Sequence, residues 1–266
     1  MWLVAPLRAQ SPSLASNVRE DRIASAALHR TLPYRVVLPS GYDASSAARF
    51  PVLYLLHGYG GTFKNWTDLT SIAAIVAARH EIVVTPDGAN SWYVNGANGE
   101  AWADYLTHDL VADVERKYRV RAERGARGVA GLSMGGYGAI VAGLEHADEY
   151  VFVGSVSGAL DITREHDVFT TQSHVDVSPV FGAIASPVRR GNDVFVLAAA
   201  VTPAAPYIYQ VEGSGDPWRA PNREFASVLD AHGARHEYHE APGTHDWTFW
   251  GREVTGVLDA FERAVR

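Results

Sequence analysis

The chain has 266 residues, with 23 lysines and arginines against 30 acidic residues, a net charge of −7 and no cysteine. This acidic balance argues against nucleic acid or an anionic membrane surface as the main partner, because both bind basic faces. The lack of cysteine excludes disulfides, a thiol nucleophile and zinc–thiolate sites, and no apolar run reaches the roughly 18 residues that a membrane-spanning helix needs.

The chain begins with an apolar stretch, MWLVAPLRAQS, that resembles the end of a secretory signal. It lacks a basic start and a full apolar segment, so as written it is not a working signal. We therefore expect residues 1–27 to form an N-terminal extension and residues 28–266 to form one domain. The compartment stays open: cytoplasmic as the sequence stands, or secreted or periplasmic if the stretch is the remnant of a trimmed signal.

Short apolar runs and longer amphipathic patterns alternate along the rest of the chain. The runs of strand length are Tyr34–Pro39, Pro51–Gly58, Glu81–Gly88, Gly128–Ser133, Phe152–Gly158, Tyr207–Gly213 and His236–Gly243. The helical patterns are Asn65–His80, Trp102–Tyr118, Met134–Ala147, Asn222–Gly233 (Asn222 as N-cap, Gly233 as stop) and Gly251–Arg266. This alternation predicts an α/β fold with a mostly parallel central sheet flanked by helices on both faces. Residues 159–193 fit it poorly and are expected to form a small lid-like insertion.

One serine lies in a glycine-rich junction between a predicted strand and a predicted helix. Gly131-Leu132-Ser133-Met134-Gly135 has the form G-x-S-x-G. In this motif the chain turns sharply from strand to helix, and the serine projects beside the free N–H groups of the helix N-terminus. Glycine is needed on both sides because larger side chains would collide with the strand and the helix. The context predicts that Ser133 is a nucleophile rather than an idle serine in a glycine-rich turn.

A nucleophilic serine needs a base, and the base needs a carboxylate that orients it. In the fold that carries this motif, the acid and then the histidine follow the serine on loops after later strands. Asp216 follows the sixth predicted strand and His245 follows the seventh, so we predict a triad of Ser133, His245 and Asp216. Glu212 lies within the sixth strand and is the weaker candidate for the acid. Asp246 adjoins His245 but cannot easily turn back onto its imidazole.

The oxyanion that forms in acyl transfer needs two backbone N–H donors. One is predicted at Met134, directly after the serine. The other is predicted at Tyr59, in the glycine-rich loop after the second strand, with Gly60 as the second choice. His57, in the same loop, is expected to fix the loop through side-chain hydrogen bonds rather than to transfer protons.

The candidate substrate contacts are Gly60, Trp218 and Trp247, with ordinary core or rim packing as the alternative role of the tryptophans. Asn90 lies in a loop rich in glycine and asparagine and is expected to be a turn former that borders the cleft. His236 and His239 are three residues apart in a strand and so face opposite ways, which argues against a shared metal site. We predict no metal and no cofactor.

Further motifs stand in a fixed order along the chain: LPSGYD, PVLYLLHGYGGTFKNW, GLSMGGYGA, GSGD with NREF, and HEYHEAPGTHDWTFW. Together they resemble the putative-esterase family of α/β-hydrolases. That family includes tributyrin-type carboxylesterases, S-formylglutathione hydrolases, feruloyl and acetylxylan esterases, and mycolyltransferases. The resemblance implies an α/β-hydrolase fold, a triad of Ser133, Asp216 and His245, and an oxyanion hole from the N–H groups of Tyr59 and Met134.

These features predict a serine carboxylesterase that hydrolyses short-chain acyl esters through an acyl-enzyme. The enzymatic alternatives are thioester hydrolysis of the S-formylglutathione type and feruloyl or acetylxylan esterase activity. The non-enzymatic alternative is a hydrolase-fold binding module, although such modules usually lack a triad member. The expected partner is a small-molecule ester, with no nucleic acid and no membrane insertion, and self-association into a homo-oligomer stays open.

Overall fold

Among the residues that the structure describes, an eight-stranded sheet forms the centre of the molecule. The computed structural model describes residues 14–44 and 46–266, so the suspected signal remnant at residues 1–11 lies outside the described part. The strands are β1 (Val18–Ser25), β2 (Arg30–Val37), β3 (Val52–Leu56), β4 (Ile82–Pro86), β5 (Arg127–Leu132), β6 (Phe152–Val156), β7 (Tyr207–Gly213) and β8 (His236–Ala241). Their order across the sheet is β1-β2-β4-β3-β5-β6-β7-β8. β1 pairs antiparallel with β2, and β2 with β4, whereas all the later pairs are parallel.

Helices cover both faces of this sheet. They are α1 (Asn65–Leu69), α2 (Ile72–Ala77), α3 (Trp102–Asp104), α4 (Leu110–Lys117), α5 (Met134–Glu145), α6 (Val168–Ser173), α7 (Ser178–Phe181), α8 (Pro187–Gly191), α9 (Val194–Ala199), α10 (Arg219–Ala231) and α11 (Trp247–Ala264). A π-helical turn, Tyr105–Asp109, joins α3 to α4. None of the described helices has the length and apolar composition needed to cross a bilayer.

The strands at the centre of the sheet are apolar because they are covered on both sides. Every residue of β3, β4, β5 and β6 is buried. One apolar core joins a face of the sheet to α4, α5, α9 and α10, and a second core joins the other face to α1, α2 and α11. The predicted α/β architecture, a mostly parallel sheet flanked by helices, is therefore confirmed.

The N-terminal boundary predicted at residue 27 is wrong in one respect. Val18–Ser25 is not part of an extension but forms β1, the edge strand beside β2. Only Val18, Ile23 and Ser25 of this strand are buried, and charged residues occupy most of its other positions. Charged edge strands are common because they discourage pairing with other chains, and such a strand lacks the apolar run that would reveal it in a sequence.

The N-terminus of α10 differs from its prediction. The helix begins at Arg219, so Asn222 lies inside its first turn rather than at the N-cap. The Asn222 side chain is buried, and its Nδ2 donates to the carbonyl oxygens of Gly158 at 2.7 Å and Trp218 at 3.0 Å. At the other end, Gly233 takes a φ of +68° just beyond the helix, which confirms it as the stop.

Residues 159–193 form a chain excursion with three short helices, α6, α7 and α8, between β6 and β7. Asp167 caps α6 by accepting the Thr170 N–H at 2.8 Å. Phe169 on α6 packs against Tyr59, with ring centroids 4.9 Å apart. The excursion therefore contacts the loop after β3, where one of the predicted oxyanion donors lies.

Candidate active site

The predicted nucleophile lies in a strained turn between β5 and α5. Ser133 has a φ of 52°, which is costly for any residue with a side chain. The flanking glycines permit the turn, because a Cβ on Gly131 would lie 2.5 Å from the carbonyl carbon of Gly135. A Cβ on Gly135 would lie 2.6 Å from the carbonyl oxygen of His57. The sharp turn therefore depends on these two glycines and projects the serine from the carboxyl end of β5.

The three residues predicted as a triad meet at this end of the sheet. His245 Nε2 lies 3.0 Å from Ser133 Oγ, and His245 Nδ1 lies 2.9 Å from Asp216 Oδ2. Asp216 and His245 come from the loops after β7 and β8, and Ser133 follows β5. Because these strands are parallel, their carboxyl ends lie on one edge, and residues 112 positions apart come within hydrogen-bonding distance.

The Asp216 carboxylate is buried and well supplied with donors. Its side chain accepts the His245 Nδ1–H through Oδ2 and the Trp218 backbone N–H through Oδ1 at 3.0 Å. Burial alone would raise the pKa of Asp216, but the hydrogen bond and the charge interaction with His245 outweigh it and hold the pKa below its usual value. Asp216 is therefore ionised at neutral pH and can hold the imidazole with Nδ1 protonated.

The neighbouring carboxylate of Asp246 has a different role. Its Oδ1 accepts the Phe249 N–H at 2.9 Å, and its Oδ2 accepts the Thr244 hydroxyl at 2.6 Å. Asp246 is thus the N-cap of α11, and it holds the loop that carries His245 without bonding to the imidazole.

The two backbone N–H groups predicted to bind the oxyanion are both unoccupied. Met134 is the first residue of α5, so its N–H has no partner within the helix. Within residues 14–44 and 46–266, neither the Met134 N–H nor the Tyr59 N–H has a hydrogen-bond acceptor. The second choice, Gly60, is occupied instead, because its N–H donates to Asn90 Oδ1 at 2.7 Å. This bond ties the loop after β3 to the loop after β4.

His57 fixes the same loop through its side chain, as expected. Its Nε2 accepts the Gly88 N–H at 2.9 Å, so Nδ1 carries the proton and donates to the Gly58 carbonyl oxygen at 2.8 Å. Burial lowers the pKa of His57, although the bond to Gly58 and the charge of Asp87 oppose this effect. A neutral histidine with both ring nitrogens engaged braces the loop and has no free nitrogen for proton transfer.

Several aromatic side chains line the cleft beside Ser133, which has a volume of about 320 Å³. The cleft is lined by Tyr59, Gly60, Phe169, Trp218, Trp247 and Trp250, among others. Trp218 stacks on His245 with ring centroids 4.4 Å apart, and Trp250 meets the same imidazole edge-on at 4.9 Å. The structure thus places the three candidate substrate contacts, Gly60, Trp218 and Trp247, in the cleft wall.

Phe169 and the bond that Asn90 makes were not predicted from the sequence. Phe169 lies in the excursion, where no periodic pattern predicted its position. Trp250 lies one helical turn after Trp247 on α11, so both tryptophans reach the same cleft. Asn90 was interpreted as a turn former, and its contact with Gly60 crosses between two loops that are distant in sequence.

His236 and His239 have separate partners. His236 Nε2 lies 3.7 Å from Asp230, whereas His239 Nε2 lies 2.9 Å from Glu237. In the described part of the chain, no group of three or more histidine, aspartate or glutamate side chains is placed to hold a metal ion.

Comparison with known proteins relates this chain to esterases. The sequence profile of a family described as putative esterase matches residues 25–261. The chain is 28% identical over 216 residues to an acetyl esterase of Caldicellulosiruptor saccharolyticus, which covers 78% of this chain and 81% of that protein. It is 30% identical over 238 residues to an esterase of Mycobacterium tuberculosis, covering 79% of this chain but only 51% of that protein. The chain therefore spans about half the length of the second relative.

Solved structures resemble this fold over nearly the whole chain. A ferulic acid esterase superposes with a TM-score of 0.81 and 24% identity, covering 96% of this chain and 100% of that one. An S-formylglutathione hydrolase from Agrobacterium tumefaciens superposes with a TM-score of 0.81 and 15% identity, covering 96% of this chain and 99% of that one. At these identities the likeness establishes the fold.

Proposed function

This chain belongs to the putative-esterase family, and from that premise we propose that it is a serine carboxylesterase that hydrolyses short-chain acyl esters through an acyl-enzyme. The observation that carries the proposal is the unbroken hydrogen-bonded line from Asp216 through His245 to Ser133, at the wall of the cleft. The substrate is a small-molecule ester, in keeping with the family.

Acylation begins at Ser133. His245 Nε2 accepts the hydroxyl proton as Oγ attacks the ester carbonyl carbon, and Asp216 stabilises the imidazolium that forms. The carbonyl oxygen becomes an oxyanion, which accepts hydrogen bonds from the Met134 and Tyr59 N–H groups. When the tetrahedral intermediate collapses, the bond to the alcohol oxygen breaks, and the imidazolium gives its proton to the departing alcohol.

In deacylation, a water molecule takes the place of Ser133 as the nucleophile. His245 accepts a proton from a water molecule that attacks the acyl carbon, and the same two N–H groups bind the second oxyanion. Collapse of this intermediate returns the proton to Ser133 Oγ and releases the carboxylic acid. The enzyme therefore needs no cofactor for either half of the reaction.

Replacing Asn90 with alanine should lower kcat by about 10-fold and change KM little, because the loop that presents the Tyr59 N–H loses its brace at Gly60. Steady-state kinetics on p-nitrophenyl acetate measure the change. Asn90→Asp retains an acceptor oxygen and should recover most of kcat. Equal rates for Asn90→Ala and the wild type would show that this bond does not position the oxyanion loop.

The shape of the cleft supports a preference for small acyl groups. Its volume of about 320 Å³ lies at the lower end of the range of small-molecule sites. Phe169, from the lid-like excursion, closes one side of the cleft against Tyr59.

We also treat the sheet and the excursion as a single domain, because Phe169 and Ile162 pack into the same core as the central strands.

A panel of p-nitrophenyl esters from acetyl to decanoyl tests this preference. We expect kcat/KM to be highest for the shortest chains and to fall as the chain lengthens, because a long acyl chain finds no tunnel and stays partly in water. Phe169→Ala enlarges the cleft and should improve the longer esters relative to acetate. Fastest cleavage of the decanoate by the wild type would contradict the proposed preference.

A second candidate is an ester of an aromatic acid. The observation that favours it is the row of Trp218, Trp247 and Trp250 in the cleft wall, which offers ring faces and edges to an aryl acyl group. Methyl ferulate, added to the same panel, distinguishes the two candidates. S-formylglutathione in that panel tests for thioester hydrolysis.

A further inference from the structure

A group of buried polar side chains lies beneath Asp216 and takes no part in the proposed mechanism. Ser155 and Ser157 stand at the carboxyl end of β6, and Gln210 and Glu212 stand towards the carboxyl end of β7, each at most 1% exposed. β6 and β7 are neighbours, with Ser155 opposite Gln210. Because alternate residues of a strand share a face, Gln210 and Glu212 project from the same side of the sheet as Ser155, and Ser157 follows directly after the end of β6.

Few polar atoms of this group have partners. Gln210 Nε2 donates to Asn222 Oδ1 on α10 at 3.2 Å. Among the described residues, however, Gln210 Oε1 and the Ser155 hydroxyl have no hydrogen-bond partner. The Ser157 hydroxyl and the Glu212 carboxyl make no bond of ideal geometry, but both lie close enough to the Asp216 carboxylate to interact with it. Buried polar groups in native proteins are nearly always hydrogen-bonded, so small rotations of these side chains towards a partner are expected.

The groups that face Glu212 favour its neutral form. Asp216 lies in the turn that follows Glu212. On the neighbouring strand β8, Glu240 lies opposite Glu212 and is paired with Arg223 and with the Tyr238 hydroxyl. β6 and α10 contribute hydroxyls and an amide. Burial, and then the Asp216 carboxylate, raise the pKa of Glu212 well above its usual range. Its surroundings therefore favour the neutral carboxylic acid over the carboxylate.

We propose that Glu212 is a positioning residue for the triad, whose neutral carboxyl donates an O–H hydrogen bond to the Asp216 carboxylate and holds it aimed at His245. The backbone turn brings the two acids together, because the Asp216 N–H donates to the Gly213 carbonyl oxygen at 3.0 Å. A carboxylate has roughly four acceptor positions, and Asp216 uses them for His245, the Trp218 N–H and the nearby Ser157 hydroxyl. A neutral donor can occupy the remaining position without changing the charge beside the imidazole.

Two substitutions separate this role from simple packing. Glu212→Gln keeps the shape and a neutral N–H donor, so kcat and the acidic limb of the pH profile of kcat/KM should stay close to wild type. Glu212→Met keeps the size but has no donor, and kcat should fall about 10-fold with little change in KM. Gln210→Met, on the same face of β7, is the matched control. It loses the bond to Asn222 and should leave kcat and the pH profile unchanged.

The pH dependence of stability reports the protonation of Glu212 without any activity assay. When the folded pKa of a carboxyl lies above its ordinary value of 4.5, stability falls as the pH rises from that value towards the folded pKa, since the unfolded chain releases the proton first. Glutamine does not titrate. The Tm of Glu212→Gln should therefore rise relative to wild type as the pH increases above the ordinary value of 4.5.

The inference is overturned if Glu212→Met has the kcat of the wild type. It is also overturned if Glu212→Gln moves the acidic limb to lower pH, because that shift would mean that a negative charge had been removed. If Glu212→Met does not fold, the Tm of Glu212→Gln provides the test. A Tm difference between Glu212→Gln and wild type that stays constant or shrinks with rising pH would contradict a neutral Glu212.

This inference rests on the proposed function, but different experimental results would refute the function and the role of Glu212. An active Ser133→Ala variant refutes the triad itself, whatever Glu212 does. An inactive Ser133→Ala variant together with a fully active Glu212→Met variant refutes only the role of Glu212.

Discussion

Replacing Ser133 with alanine should lower kcat for p-nitrophenyl acetate by on the order of 10⁶-fold, to a rate close to the background of the assay. The change removes the hydroxyl oxygen that lies 3.0 Å from His245 Nε2, so no acyl-enzyme can form. The turn itself should survive, because it depends on Gly131 and Gly135 rather than on the hydroxyl. The initial rate of p-nitrophenol release and the Tm, measured on the same preparation, test both statements.

A matched control for this variant is Ser214→Ala. Ser214 is an exposed serine in the loop that leads to Asp216. It should retain the wild-type kcat and Tm. Activity retained by Ser133→Ala within about 10-fold of the wild type would remove Ser133 from the mechanism.

Replacing Asp216 with asparagine should lower kcat by about 10⁴-fold, with a much smaller change in KM. The buried carboxylate accepts the Nδ1–H of His245, and so leaves Nε2 free to accept the serine proton. An amide can present its NH₂ group to Nδ1 instead, which moves the proton to Nε2 and disables the base. Single-turnover acylation rates measured near neutral pH give the loss in the chemical step directly.

The control for Asp216→Asn is Asp246→Asn, at the residue next to His245. Asparagine is as good an N-cap as aspartate, so α11 should start at the same residue and the activity should be nearly unchanged. If Asp246→Asn lost as much activity as Asp216→Asn, the orienting acid would have been assigned to the wrong residue.

The arrangement of the candidate site follows from features that a sequence displays. Ser133 and Asp216 each follow a largely apolar run of strand length, and such runs indicate strands covered on both faces. His245 follows a strand-length stretch, HEYHEA, that is polar and only partly buried. Parallel strands in such a sheet end on one edge, so residues after their carboxyl ends meet there. The fold class and the meeting of these three side chains could therefore be predicted, whereas their catalytic roles remain predictions.

Features that depend on contacts between distant loops could not be predicted in the same way. The bond from the Gly60 N–H to Asn90 joins the loops after β3 and β4, and neither loop has a periodic pattern. Phe169 reaches the cleft from an excursion whose short helices carry no apolar stripe. β1 was missed because a charged edge strand buries few residues and shows no apolar run.

Burial changes both the expected protonation and the expected role of Glu212. In the sequence it is a carboxylate four positions before Asp216 and a weaker candidate for the same role. In the structure it is fully buried inside β7, where burial and the Asp216 carboxylate disfavour its charged form. Its protonation depends on the packing around it, and that packing is set by β6, β8 and α10 rather than by its sequence neighbours.

Labelling with a fluorophosphonate probe, followed by mass spectrometry of the intact chain and its peptides, tests the central claim most directly. Fluorophosphonates react with a serine only when a base and an oxyanion hole activate it. We predict one adduct per chain, on the peptide that contains Ser133, with no adduct in Ser133→Ala. A folded wild-type chain that stays unlabelled, or one that is labelled at another residue, would contradict the account.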